Sequence, residues 1–420
     1  MSEVVNSDII VGLDIGTTKV CAIVGKKTPE GDVKIIGIGQ TPSKGLKKGV
    51  VINIDEAVLS IKRAIAYAER MSGVKIDSVI TGIAGGHIRS YNSSGVVAIK
   101  NLEVSESDIR RVIDAAKAVV IPPDKEIIHI IPQEFVVDDQ SGIKDPRGMN
   151  GTRLEVRVHI VTASVTNVQN IVKCCTKSGL KVQDIVLQPI ASSYSVLRPE
   201  EKDLGVGLID IGGGTTDVAV FASNAIKHSS VIAIGGDHVT NDIAIGLRIP
   251  SFKEVEEIKK KYGCALTEMV DSDEVVQIPG IGDKKTREIP RRLLSEIIEP
   301  RMEEIYSLVK DELSKMGLMD LLAGGIVLTG GSALMQGALE LASAIFELPV
   351  RLGKPYGIVG LKDAVDNPMY ATGVGLVLYG FNKMEENEQF LNIDSKKVAD
   401  GNNLFSVILT KMKNWVKEMF

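Results

Sequence analysis

The chain has 420 residues, of which 44% are apolar and 25% charged; this excludes a disordered protein and makes two or more domains the expectation. A net charge of −5 excludes nucleic acid as a general partner. Four cysteines without a CxxC pair and five scattered histidines exclude a disulfide framework and leave no metal-ligand spacing, so a reducing compartment is expected.

The opening MSEVVNSDII carries Glu3 and Asp8 and no basic stretch, unlike a secretory leader. No apolar run reaches the length of a membrane span. GLDIGTTKVCAIVG (12–25) places Asp14 at the tip of an apolar strand, followed by Gly16, Thr17, Thr18, Lys19 and a second strand. PEGD turns the chain and KIIGIG returns it. A helix is expected over DEAVLSIKRAIAYAERMSG, where Val58, Ile61, Ile65 and Ala68 recur at helical spacing and Gly73 suits its end.

Residues 84–162 then interrupt this plan. SYNSSGVVAIK, EIIHIIPQEFVV and TRLEVRVHIVTAS read as strands, and VSESDIRRVIDAAKAVV as a helix with Ser105 at its N-cap and Asp108 completing a capping box. Such a segment can bury a small core of its own. It carries no clustered nucleophile, base or metal ligand, which favours an interaction module.

GLIDIGGGTTDVAVF (207–221) repeats the first motif around Asp210, and the same order of hairpin, strand and helix follows through SNA, IKHSSVIAI and GGDHVTNDIAIGL. A second excursion, 237–307, holds SFKEVEEIKKKYG, a polar stretch and IPRRLLSEIIEPRMEEI, in which Pro300 is expected to kink a helix. IVLTGGSALMQGALELA (326–342) is a third strand, glycine turn and helix. It is not a Walker A loop, because GxxxxGK[ST] is absent. After Gly380 the polar run FNKMEENEQFLNIDSKKVADGNN is expected as a flexible tether. In LFSVILTKMKNWVKEMF (404–420), Phe405, Ile408, Leu409, Met412, Trp415, Val416 and Met419 share one helical face, with Lys411, Lys413 and Lys417 off it. That segment is too short and too basic to span a bilayer, so it is expected to lie in the membrane interface; docking on the body of the protein is the alternative.

A strand ending in Asp-x-Gly sets a carboxylate at the tip of a sheet, and the following glycines let bare backbone N–H groups approach an anion. The carboxylate would repel phosphate directly but can hold Mg²⁺ against it through water. An ordinary Asp-Gly hairpin explains either stretch alone. Two copies at equivalent places in two repeats point instead to a Mg–nucleotide gripped from both sides, with Lys19 on one side only to offset phosphate charge.

Three such turns in this order resemble the actin and sugar-kinase superfamily. GLDIGTTKV, DIGGGTTDVAV, IVLTGGSALMQG, SEIIEPRMEEI and the amphipathic tail together resemble the bacterial FtsA family of cell-division proteins over essentially the whole chain. The resemblance implies an α/β, actin-like (ribonuclease H-like) fold of duplicated domains with an inserted α/β subdomain and a C-terminal amphipathic helix. The implied divisions are 1–83 and 163–203 for the first domain, 84–162 for the insert, and 204–236 with 308–380 for the second domain. A second-domain insertion at 237–307, a linker at 381–403 and the membrane helix at 404–420 complete them.

The implied cofactors are ATP and Mg²⁺. Asp14, Gly16, Thr17, Thr18 and Lys19 would form one phosphate loop, and Asp210, Gly212, Gly213, Gly214, Thr215 and Thr216 the other, with Asp14 and Asp210 holding Mg²⁺ through water. Gly236, Gly330, Gly331 and Ser332 would face the nucleoside. Glu256 and Lys259 would reach the ribose and adenine, a solvated helix face being the alternative. LQPIASSY (187–194) matches a segment connecting the domains; its Gln188 stands where relatives orient water, which implies slow hydrolysis or none, a helix-entry residue being the alternative. Arg301 with Ile305 is the expected contact for the C-terminal tail of the tubulin-like FtsZ, against a plain solvated basic face. Further implied partners are a second copy of the chain, other division proteins through the insert, and an anionic membrane surface. The implied location is the cytoplasmic side of the cell membrane at the division site. A sugar-kinase-branch phosphotransferase and a pilus-assembly ATP-binding protein are the alternatives.

Overall fold

A computed structural model describes residues 8–280 and 286–398, with side chains to residue 385. The expected membrane-binding residues Phe405 to Met419 lie outside the described residues. Strands of the three larger sheets and the principal helices are numbered in chain order.

In the first domain β1 (Ile9–Ile15), β2 (Lys19–Lys27) and β3 (Val33–Pro42) form an antiparallel meander, α1 (Ile54–Ser72) packs across it, and β4 (Ser78–Ile83) returns parallel to β1. The insert follows with β5 (Arg89–Ala98), α2 (Glu106–Ala116), β6 (Lys125–Val137), β7 (Gln140–Ile143) and β8 (Arg153–Ser164). α3 (Val165–Lys177) and β9 (Lys181–Leu187) complete the domain, and α4 (Gln188–Val196) leads out of it. The second domain repeats the plan with β10 (Val206–Ile211), β11 (Thr216–Ala222), β12 (Ala225–Ile232) and α5 (Gly236–Gly246). After α6 (Phe252–Tyr262) and α7 (Arg291–Lys315) come β13 (Ile326–Thr329), α8 (Ala338–Phe346) and β14 (Val350–Leu352). The chain then adds β15 (Ile358–Gly360) to the first sheet and enters α9 (Ala371–Val398).

The first sheet runs β9-β4-β1-β2-β3-β15 and the second β14-β13-β10-β11-β12, so five strands recur in the same order. The duplication inferred from two Asp-Gly loops is thus a duplication of topology. β1, β2, β10 and β11 are buried along nearly their whole length, because helices cover both faces; this is why they read as continuous aliphatic runs rather than alternating ones. α4 and α9 cross between the domains. Gly375 makes their approach possible, since a Cβ there would sit 1.9 Å from the Ala191 carbonyl oxygen.

The insert has its own sheet, β5-β8-β6-β7, with α2 over one face and a core of Val112, Phe135, Leu154, Val156, Val158 and Ile160. Ser105 and Asp108 form the expected capping box. The other face of this sheet lies against β12, the edge strand of the second domain, and polar side chains cap that edge. Asn92 Nδ2 donates to the Lys227 carbonyl at 3.1 Å, Gln133 Nε2 to that of Ile226 at 2.6 Å, and Lys144 Nζ to that of Ser223 at 2.7 Å. The His159 ring, only 1% exposed, bridges Asn92 Oδ1 at 2.8 Å and Ser229 Oγ at 2.9 Å.

One expectation changes. The polar run after Gly380, expected as a tether from 381, continues α9 through Val398. It contains no glycine or proline between 381 and 400, and Lys27 with Glu385 and Lys383 with Asp184 pair this helix to the first domain. Pro300 lies inside α7, which runs through it as one element of 25 residues, with Ile298 and Met302 buried on either side.

Candidate functional site

Each Asp-Gly loop is a tight turn closed by the same hydrogen bond. Gly16 N–H donates to the Lys19 carbonyl at 2.9 Å, and Gly212 N–H to the Thr215 carbonyl at 3.0 Å. The strand registers set Asp14 opposite Cys21 and Asp210 opposite Asp217. The two loops meet face to face. A Cβ on Gly213 would lie 2.2 Å from Thr18 Cγ2, and one on Gly214 would lie 2.5 Å from Thr17 Oγ1. Any side chain on that loop would force the halves apart, which is the physical need for consecutive glycines there.

The carboxylates at the tips are 6% and 7% exposed. Asp14 Oδ2 accepts from Lys19 Nζ at 3.0 Å and its Oδ1 from Gln188 Nε2 at 3.2 Å. Asp210 Oδ2 accepts from Ser192 Oγ at 2.8 Å and from Thr372 Oγ1 at 3.3 Å. Burial alone would lower the Lys19 pKa, but Asp14 outweighs it and holds the ammonium above its ordinary range. Burial pushes Asp210 up to about 6, with Asp14 adding to the rise and Ser192 opposing it. Asp217 is raised well above the usual carboxylate range by burial and then by Asp210. Its Oδ2 accepts from Thr215 Oγ1 at 3.2 Å, while its buried Oδ1 has no partner.

On the nucleoside side, Gly236 N–H donates to the Gly212 carbonyl at 2.9 Å and Ser332 Oγ to the same carbonyl at 3.3 Å. Gly330, at φ 86°, passes so close to Asp210 that a Cβ would lie 2.5 Å from its Oδ1, whereas the Cβ position of Gly331 is open. Lys259 is buried and donates to the Gly236 carbonyl at 2.9 Å and to Thr240 Oγ1 at 2.8 Å, and it pairs with Glu256 at 2.7 Å. Burial opposes the Glu256 charge, but Lys259 holds its pKa below the usual range. The residues expected from three distant sequence motifs and α6 therefore converge on one seam. Thr216 is a partial exception, since its hydroxyl donates inward to the Ile234 carbonyl at 2.8 Å.

Among the described residues no group of three or more His, Cys, Asp or Glu side chains is arranged to ligate an ion. Carboxylate oxygens at the two tips and the unpartnered Asp217 Oδ1 are nonetheless the hard donors that Mg²⁺ takes.

Residues 207–375 match the family model described as cell division protein FtsA, and residues 85–162 match that of the SHS2 domain inserted in FtsA. The chain is 50% identical over 420 residues to cell division protein FtsA of Pseudomonas aeruginosa, covering 100% of both. The chain belongs to the FtsA family. The Escherichia coli K12 member is 39% identical over 427 residues, and the Bacillus subtilis member 42% identical over 376 residues, which covers 89% of this chain and 84% of that one. Among solved structures, the PilM-PilN type IV pilus biogenesis complex matches at TM-score 0.66 and 16% identity, covering 89% of this chain and 98% of that one. MreB5 of Spiroplasma citri bound to ADP matches at TM-score 0.57 and 16% identity, covering 91% and 99%. The fold is actin-like with an inserted α/β subdomain, and the FtsA match sets aside the sugar-kinase and pilus-assembly alternatives.

The expected FtsZ contact is changed by the structure. Ile305 is fully buried in the second-domain core, on the inward stripe of α7 with Met302, Tyr306 and Val309, and presents nothing to a partner. Arg301 is half-buried, donates through Nε to Asp242 at 2.6 Å and also pairs with Glu304. Sequence reasoning missed Ser192 and Thr372, which bind Asp210. Both sit in the segments that connect the domains, and their only signal was small hydroxyl residues at a helix crossing.

Proposed function

We propose that the seam binds Mg–ATP and that the protein self-assembles as a cell-division adaptor on the inner face of the cell membrane, tethering FtsZ filaments through the amphipathic segment 404–420. The observation that carries the nucleotide assignment is the pair of buried aspartates, Asp14 and Asp210, at the tips of two mutually packed glycine loops. The presence of ADP in the MreB5 neighbour supports it.

In this reading the amides of Thr17, Thr18 and residues 213–215 and the hydroxyls of Thr17 and Thr18 hold phosphate oxygens. Lys19 offsets their charge, and Gly236, Glu256, Lys259 and Gly330 to Ser332 hold the nucleoside. Mg²⁺ would be held through water by Asp14 and Asp210 and supplies charge neutralisation of the phosphates. Gln188 is tied to Asp14 and can orient water but cannot accept its proton, so hydrolysis is slow. Arg301 would contribute a surface cation to the FtsZ-tail site. The inserted subdomain would contact other division proteins.

Two measurements test this. Calorimetric titration of the full chain with Mg–ATP should show binding that Asp14→Ala with Asp210→Ala abolishes; undiminished uptake by the double variant would refute the site. Flotation with anionic vesicles should carry the full chain together with FtsZ, and should fail for a chain lacking 404–420; equal flotation of both forms would remove the adaptor role.

A further inference from the structure

Between β3 and α1 lies a two-stranded hairpin, Leu46–Lys47 against Val50–Val51, whose tip is Lys48-Gly49. Both tip residues have positive φ, 51° for Lys48 and 75° for Gly49. That is the turn for which asparagine, aspartate or glycine is the usual first residue, and a lysine there is a strained choice.

The tip is wedged among the phosphate loops. Gly49 N–H donates to Thr17 Oγ1 at 3.1 Å, and a Cβ on Gly214 would lie 3.0 Å from Lys48 Cα. Behind it the tip rests on the turn after β4, since a Cβ on Gly49 would meet the Ala84 carbonyl oxygen at 2.9 Å. The Lys48 backbone is thus fixed against both halves of the cleft, while its side chain is exposed and forms no ion pair among the described residues.

The second loop gives the site a direction. Its Gly212 end touches the nucleoside side through Gly236 and Ser332, and its Gly214 end touches Lys48. The hairpin therefore stands at the end of the phosphate track remote from the base. The site as a whole is short of free cations: Asp14, Asp210 and Asp217 are all more than nine-tenths buried, and Lys19 is already paired with Asp14.

We infer that Lys48 supplies the cation that meets the terminal phosphate and makes the site prefer a nucleoside triphosphate to a diphosphate. This rests on the nucleotide assignment proposed above.

The test is titration of the full chain with Mg–ATP and with Mg–ADP, for the wild type, Lys48→Gln, Lys48→Arg and Lys47→Gln. Lys48→Gln should weaken Mg–ATP by about tenfold or more and leave Mg–ADP within about twofold. Lys48→Arg should retain the preference, and Lys47→Gln, next to it on the same hairpin, should change neither affinity. Lys48→Gly, which suits the left-handed turn, should fold and show the same split as Lys48→Gln. Equal loss of both affinities, or no loss of either, overturns the role of Lys48 while leaving the site standing. A wild-type chain that takes up neither nucleotide overturns the site and the lysine's role with it.

Discussion

Lowering the pH from 7.5 to 5.5 should loosen the insert from the second domain, and His159 sets by how much. In the docked state its Nδ1 faces Asn92 Oδ1 and its Nε2 faces Ser229 Oγ. The Asn92 oxygen also accepts from Gln133, so Nδ1–H donates and Nε2 must stay unprotonated to accept from Ser229. Burial, with His228 and His129 nearby, pushes the ring from 6.5 down to about 3. His228 itself is hydrogen-bonded to Glu312. Undocking exposes His159 to water and restores its ordinary value. A depressed imidazole contributes stability that is present above 6.5 and is lost as the pH falls toward 3. At pH 5.5 the undocked form should therefore be favoured by roughly 1.4 kcal/mol relative to pH 7.5, about tenfold in the opening equilibrium. The assay is hydrogen exchange of the β5 and β12 amides at the two pH values, corrected for intrinsic rates, in the wild type and in His159→Gln, which can still hydrogen-bond but does not titrate. About tenfold in the wild type and less than about twofold in the variant is expected. The same pH response in both proteins would refute the assignment of the proton to His159.

Gly214→Ala should lower Mg–ATP affinity by about tenfold or more, because its methyl would overlap Thr17 Oγ1, whereas Gly331→Ala should change affinity by less than about threefold, its Cβ position being open; calorimetry compares the two. Asp210→Asn should raise the unfolding temperature of the nucleotide-free protein at pH 7.5, since a buried carboxyl pushed up to about 6 loses stability as the pH rises through that value, and it should abolish Mg-dependent nucleotide binding. Ile305→Ala should cost about 2–5 kcal/mol in urea denaturation, against less than about 1 kcal/mol for Arg301→Ala; near-equal small losses would put Ile305 back on the surface.

The duplicated domains were legible because each Asp-Gly loop interrupts a long aliphatic run and the same elements follow in the same order. The glycine loops were legible for the same reason that they exist: the backbone has to approach something closely. Ser192, Thr372 and the His159 bridge were not, because they act across distances of chain that no local pattern encodes. Ile305 could have been placed correctly. Leu294, Ile298, Met302, Ile305 and Val309 recur at helical spacing, and that stripe marks the inward face of α7. The resemblance to a family contact displaced this local signal. The continuation of α9 was likewise written in the absence of any helix breaker after Gly380.

That continuation changes the mechanics of whatever follows it. A loose tether would let the terminal segment wander and would transmit no orientation. A helix pinned at its base by Lys27 and Asp184 and running on to Val398 projects about 20 Å beyond Glu385, at the usual rise per residue. In the membrane-adaptor reading proposed above, it would act as a stand-off post that adds this length between the body and whatever follows Val398.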